Sequence, residues 1–345
     1  MDCLAQERRL MLARTADNLF WLGRYGERCE HLARVLRCML VRITGESGFP
    51  GTAEWNSLMQ LHAYLASENS RMKADDPQGH LDLEQDFEQE LLSLIFEEQR
   101  DDSLYANLSR VSRACASVRD RLSTDLLRVV TQLGSIVQIE DSTAWGYVSA
   151  GDALGVLNRC IRTLSALRGM ELENITRGPG WHFLGIGRRI ERSLQIVALF
   201  RAAIVPFSAR TWPMLEMLLE IGDSSMTYRS RYFTTMQTAP VLDLLMNDEA
   251  NPRSLAFQLR DLSKHSKVLA KTLQGAEWPL AKQSRVEEVG VNLFTADVQR
   301  LCAPDADGSR WYLDNLLSAM DTALASFSDA ITNTWFSHAE MERPA

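Results

Sequence analysis

From Thr15 to Ile43 small and apolar residues return every three or four positions: Ala16, Leu19, Gly23, Gly26, Cys29, Ala33, Leu36 and Leu40, with Leu12 just ahead of them. That period belongs to an α-helix with one packing face, about eight turns long. Gly23 and Gly26 each cost such a helix about 1 kcal/mol, a cost that makes sense if a second helix crosses there at close range. The same period recurs down the chain. A short helix carries Trp55, Leu58, Leu61 and Leu65, and further helices are predicted at 104–121, 123–139, 148–173, 211–221, 223–236, 253–274, 285–303 and 309–337. Another opens at Pro179, a residue suited to a first helical turn, and runs to about Ala203. No segment alternates apolar and polar residues between turn signals, so the predicted class is all-α. Gly (19) and Pro (10) are few for 345 residues, which fits long helices better than many short strands.

Composition narrows the function classes. With 37 Lys+Arg against 45 Asp+Glu the formal charge is −8, which argues against a non-specific nucleic-acid binder. No run reaches the ~18–20 apolar residues of a membrane helix, and MDCLAQERRLMLARTADNLF lacks the apolar segment of a secretory signal. Cys3, Cys29, Cys38, Cys115, Cys160 and Cys302 are scattered, with no C-x-x-C, and read as reduced thiols of a soluble cytoplasmic protein. There is no H-E-x-x-H, no G-K-[ST] phosphate loop and no G-x-S-x-G elbow. None of the six histidines has a Glu three positions earlier, so no di-iron motif is present. No metal and no cofactor are expected.

Gly23-Arg24-Tyr25-Gly26-Glu27-Arg28 and Gly187-Arg188-Arg189-Ile190-Glu191-Arg192 both read G-R-x-x-E-R, 164 residues apart. Trp55-x-x-Leu58-x-x-Leu61 echoes Trp212-x-x-Leu215-x-x-Leu218, and Val118-Arg119-Asp120 echoes Leu259-Arg260-Asp261, in the same order. The expectation is two related helical-bundle halves packed into one compact unit. The first is 1–147, with an acidic insertion at 68–102, and the second is 148–345. The acidic run reads as a solvated helix face or as a docking surface for a basic partner.

Each G-R-x-x-E-R stripe borders an apolar helix face, so Glu27 and Glu191 are expected at helix–helix interfaces. There they need guanidinium partners from Arg24, Arg28, Arg188 or Arg192. Two readings follow. Either these are ion pairs that fix a helix crossing, or they line a polar cavity whose arginines bind a carboxylate or phosphate, with Glu27 and Glu191 as weak candidates for a general acid or base. Arg119, Arg229, Arg231 and Arg253 are further candidates for such a cavity. Asn251-Pro252-Arg253-Ser254 reads as a helix start, with Asn251 as the cap and Pro252 at the first position.

Met11 through Arg28, with its L-F-W-L-G-R-Y-G-E-R core, resembles the opening of the alpha-E family, an all-helical domain named for its E-R motif. Thr176-Arg177-Gly178-Pro179-Gly180-Trp181 through Glu191-Arg192, Tyr228-Arg229-Ser230-Arg231-Tyr232, Leu242-Asp243-Leu244-Leu245, Asn251-Pro252-Arg253-Ser254-Leu255 and Trp335-Phe336-Ser337-His338 resemble its later blocks. The resemblance spans about residues 10–338. It implies an all-α domain of unknown function, encoded beside or fused to circularly permuted ATP-grasp proteins. Transglutaminase-like peptidases and a proteasome-related peptidase are often nearby. By that company, the chain would be a partner or substrate-handling subunit of an amide ligase, binding an anionic peptide, amino acid or intermediate. A stand-alone enzyme and a pure scaffold are the alternatives.

Overall fold

Serine hydroxyls start several of the helices. Ser103 Oγ accepts from Ala106 N, Ser123 Oγ from Leu126 N, Ser149 Oγ from Asp152 N and Ser254 Oγ from Phe257 N. Each bond satisfies a donor that the first helical turn would otherwise leave unpaired. The computed structural model describes residues 2–45, 50–65, 83–138, 144–206, 212–233, 235–272 and 278–336. In chain order the helices are α1 (Asp2–Ile43), α2 (Thr52–Leu65), α3 (Leu83–Phe96), α4 (Leu104–Ser117), α5 (Thr124–Ser135), α6 (Ala150–Asn174), α7 (Pro179–Ala203), α8 (Trp212–Ile221), α9 (Ser225–Tyr232), α10 (Thr238–Leu242), α11 (Leu255–Thr272), α12 (Leu280–Phe294), α13 (Val298–Cys302) and α14 (Trp311–Trp335). Among the described residues there is no strand, only an isolated Pro206–Ser309 bridge. No described helix is long and apolar enough to cross a membrane.

The helices group into two compact units. One comprises residues 1–27 with 176–345, the other residues 28–175. These bounds differ from the division at 147/148, and α1 supplies the reason. Its first part packs against α7 with almost no space between the backbones. A Cβ on Gly23 would lie 2.3 Å from Leu184 O, and one on Gly187 would lie 2.1 Å from Phe20 O. Gly26 differs from the expectation, because a Cβ there would meet nothing within 4 Å. In this unit α7 also packs on α11 and α14, and α12 packs on α14 and α11. Phe20, Phe183 and Phe336 join in its core, with ring centroids 5.7 Å apart in each contact. In the other unit α5 lies on α4 and α6, and α3 on α4 and α6.

The structure differs in several places from the periodicity reading: α4, α5 and α9 end about four residues early, at Ser117, Ser135 and Tyr232. Residues 285–303 are not one helix: α12 ends at Phe294, and Asp297 caps α13 by accepting from Gln299 N. The cap of α11 is Ser254, while Asn251 accepts from Arg253 N and donates to Leu244 O. Asn251 therefore ties the turn to the preceding segment and does not start the helix. In the acidic run, residues 68–82 lie outside the described residues, and Glu90 of α3 is not on a solvated face. It is fully buried, 3.0 Å from Arg100 Nη1 and 3.5 Å from His62 Nε2.

Candidate functional site

The crossing of α1 and α7 brings the two G-R-x-x-E-R stripes face to face. Gly23 and Gly187 remove the side chains that would hold the helices apart, so the charged residues one turn on can reach across. Arg24 Nε donates to Glu191 Oε2 at 2.7 Å, and Arg24 Nη1 donates to Ser328 Oγ of α14 at 2.8 Å. In return, Arg192 Nε donates to Glu27 Oε2 at 2.7 Å, and Arg188 Nε stands 3.4 Å from Glu27 Oε1. Arg192 also donates to the Pro252 carbonyl. The arrangement is reciprocal, since each helix's carboxylate is taken by guanidiniums of the other. Side-chain exposure is 2% for Glu27, 7% for Glu191, and 10–12% for Arg24, Arg188 and Arg192. Arg24 also lies against Trp21, 5.2 Å from the ring centroid. At such burial the ion pairs define where the helices cross, because separating either partner would strand a charge in the core.

The structure thus brings together Arg24, Glu27, Arg188, Glu191 and Arg192. Arg28 and Arg119 belong to the other compact unit, and Arg119 is exposed on a single turn at Arg119–Arg121. Arg229 and Arg231 are exposed on α9, where Arg231 Nη1 donates to Asp248 at 2.6 Å. Arg253 is half-buried beside Pro252. Arg34, further along α1, is held by Glu30 at 2.8 Å.

A second polar group lies where α7 meets α11, and motif reading misses it. Arg189 Nε donates to Asp261 Oδ2 at 2.8 Å, and Arg189 Nη1 donates to Gln258 Oε1 at 2.8 Å. Asp261 Oδ2 is 3.7 Å from His265 Nε2, and His265 Nδ1 is 3.0 Å from His182 Nδ1. Gly185 makes room for the imidazole, since a Cβ there would lie 2.5 Å from His265 Cε1. Burial, with the charges of Arg192 and Arg188, lowers the Arg189 pKa to about 10 despite the opposing pull of Asp261. Burial pushes Asp261 up, but bonding from His265 and the Arg189 charge outweigh it and hold the carboxyl well below its usual range. His182 is lowered, first by burial and then by His265. The available signal was Asp261-x-x-x-His265, a carboxylate one helical turn before a histidine, a spacing that a search for Glu-x-x-His passes over. Among the described residues no group of three or more His, Cys, Asp or Glu is placed to hold a metal ion.

A family model described as a predicted alpha-helical domain with a conserved ER motif, Alpha-E, matches residues 11–336. The chain belongs to the Alpha-E family. Uncharacterized proteins of Mycobacterium tuberculosis and Mycobacterium bovis are 28% identical to it over 327 residues, covering 93% of this chain and 36% of theirs. The chain therefore spans about a third of the length of these curated relatives. No solved structure matches it. In this Alpha-E chain both E-R pairs, Glu27-Arg28 and Glu191-Arg192, place their carboxylate inside the α1–α7 crossing. Two buried thiols of the other compact unit are poorly suited to nucleophilic chemistry. Burial pushes Cys115 and Cys160 up to about 12, and a protonated thiol is a poor nucleophile.

Proposed function

We propose that this Alpha-E chain is a helical partner of an ATP-grasp-type amide ligase, handling an anionic peptide, amino acid or intermediate for it in the cytoplasm. The observation that carries the reading is the reciprocal pairing of Glu27 and Glu191. Both carboxylates are committed to guanidiniums inside the crossing, so the E-R motif builds a rigid helical body and leaves no free carboxylate for acid–base work. The company implied by the family resemblance supports the ligase as the partner, with a transglutaminase-like peptidase as a second neighbour. The short span of this chain against its relatives supports a module that works alongside further domains. Contact with an anionic ligand then falls to guanidiniums outside the crossing, of which Arg229 is exposed on α9.

Co-expression with the neighbouring circularly permuted ATP-grasp protein tests this. A stable complex, and ATP-dependent amide formation that drops when the chain is omitted, are expected. The isolated chain should show no ATP binding by calorimetry. Failure of the pair to co-purify, together with ligation that is indifferent to the chain, would overturn the assignment.

A further inference from the structure

A histidine is a competent nucleophile when a base sits within hydrogen-bond reach of it and a third group orients that base. The junction of α7 and α11 has this order. Asp261, fixed by Arg189 at 2.8 Å, stands 3.7 Å from His265 Nε2, so its carboxylate charge orients the ring and favours the His265 proton on that nitrogen, with Nδ1 as the acceptor. His182 Nδ1, 3.0 Å away, is then the donor, and the lone pair of His182 lies on Nε2. His182 is half-buried in the first turns of α7, and its contact with His265 uses Nδ1, which puts Nε2 on the far side of the ring. We propose that Asp261, His265 and His182 form a nucleophilic relay whose reactive atom is His182 Nε2 and whose substrate is an activated acyl donor.

The step balances without an oxidant or a metal. The Nε2 lone pair forms a bond to the acyl carbon, and the bond from that carbon to the leaving group breaks, the leaving group taking the electron pair. The acylated ring passes its Nδ1 proton to His265 Nδ1. His265 becomes an imidazolium facing the Asp261 carboxylate. Water then attacks the acyl carbon and the acyl–nitrogen bond breaks, Nε2 keeping its electron pair. The oxygen and one proton of the water leave in a carboxylic acid, its other proton goes to the leaving group, and the proton on His265 returns to His182 Nδ1. The depressed basicity of His182, set by burial and by His265, keeps its ring neutral near pH 7. The Gly185 cradle keeps the His265 ring pressed on α7 beside it. Trp181, 6.3 Å from His265 and covered by Arg177 at 4.0 Å, stands on the same turn. This relay is independent of the ligase reading, because it concerns the reactivity of the chain alone.

The test uses the full chain and diethyl pyrocarbonate, an acylating probe, at pH 7, with peptide mass mapping of each histidine over time. His182 should be modified on the order of tenfold or more faster than N-acetylhistidine at the same neutral fraction. D261N and H265Q should bring His182 down to the N-acetylhistidine rate or below, while His31 keeps its wild-type rate. A wild-type His182 that reacts no faster than N-acetylhistidine would overturn the relay, and so would a folded D261N that reacts at the wild-type rate. The wild-type comparison needs no variant and stands even if both substitutions unfold the chain.

Discussion

Gly23 and Gly187 do the same job at the α1–α7 crossing, and Gly26 does not share it. A methyl at Gly187 would meet the backbone of Phe20, at 2.1 Å from its oxygen and 2.9 Å from its carbonyl carbon, and backbone cannot move aside as a side chain can. Gly187→Ala should therefore cost about 1–3 kcal/mol or more, whereas Gly26→Ala should add up to about 1 kcal/mol of helix stability. Urea midpoints for the two variants should move in opposite directions. The titrating groups of α7 and α11 also make a prediction. Because the folded pKa of His182 lies below its ordinary value of about 6.5, the unfolded chain binds the proton first as pH falls. Stability should be intact above about pH 6.5 and decline below it, down to the folded value. Asp261 acts in the lower window, where its contribution is complete above the unfolded value of about 3.9 and is lost as pH falls toward its depressed folded pKa. H182Q should flatten the decline that begins near neutrality and leave the acid limb in place. An unchanged slope between pH 7 and the acid limb would contradict the assignment.

At the scale of elements, Ser254 carries more than a sequence reading credits to it. Its hydroxyl accepts from Phe257 N to cap α11 and donates to Asp248 O, and the residue is fully buried. Ser254→Ala should cost about 1–2 kcal/mol by chemical denaturation. The helices themselves were legible, because apolar residues at three- and four-residue steps mark them whatever they pack against. α6, α7, α8 and α14 begin and end within two residues of the periodicity reading. The caps were less legible. Asn251-Pro252 is a good local start signal, yet the Asn251 side chain is claimed by Leu244 O, a contact set by the tertiary fold. The same limit applied to the charged groups. Sequence spacing shows Arg24 and Glu27 as neighbours on one stripe, but not that each pairs with the opposite helix. It also gives no hint that Asp261, His265 and His182 converge from two helices 79 residues apart at Asp261 and His182. The acidic run around Glu90 reads as a solvated face or a docking surface, and the burial of Glu90 rests on Arg100, ten residues on, which sequence spacing does not show.

At the scale of the molecule, the N-terminal 27 residues join 176–345 because α1 must meet α7 for the two E-R carboxylates to be neutralised. The reciprocity of that crossing follows the offset of 164 between the motifs: Arg24–Glu191 and Arg188–Glu27 are equivalent pairs, as are the contacts of Gly23 with Leu184 and Gly187 with Phe20. Reciprocal contacts of this kind are what a duplicated ancestor would leave, and on that basis we propose that the chain arose by internal duplication into two related halves. The echo at Arg119-Asp120 and Arg260-Asp261 differs in setting, since Asp120 is exposed beside Arg121 while Asp261 is held by Arg189. The central claim is that the E-R motif is a buried clasp joining α1 to α7. Denaturant unfolding of Glu27→Gln and Glu191→Gln tests it most directly. Each substitution leaves a buried guanidinium without its countercharge, so each should lose about 3–5 kcal/mol, much of a typical domain's ~5–15 kcal/mol. Losses of only about 0–1 kcal/mol in both variants, the range of solvated pairs, would contradict the clasp and return these residues to an open, anion-binding cavity.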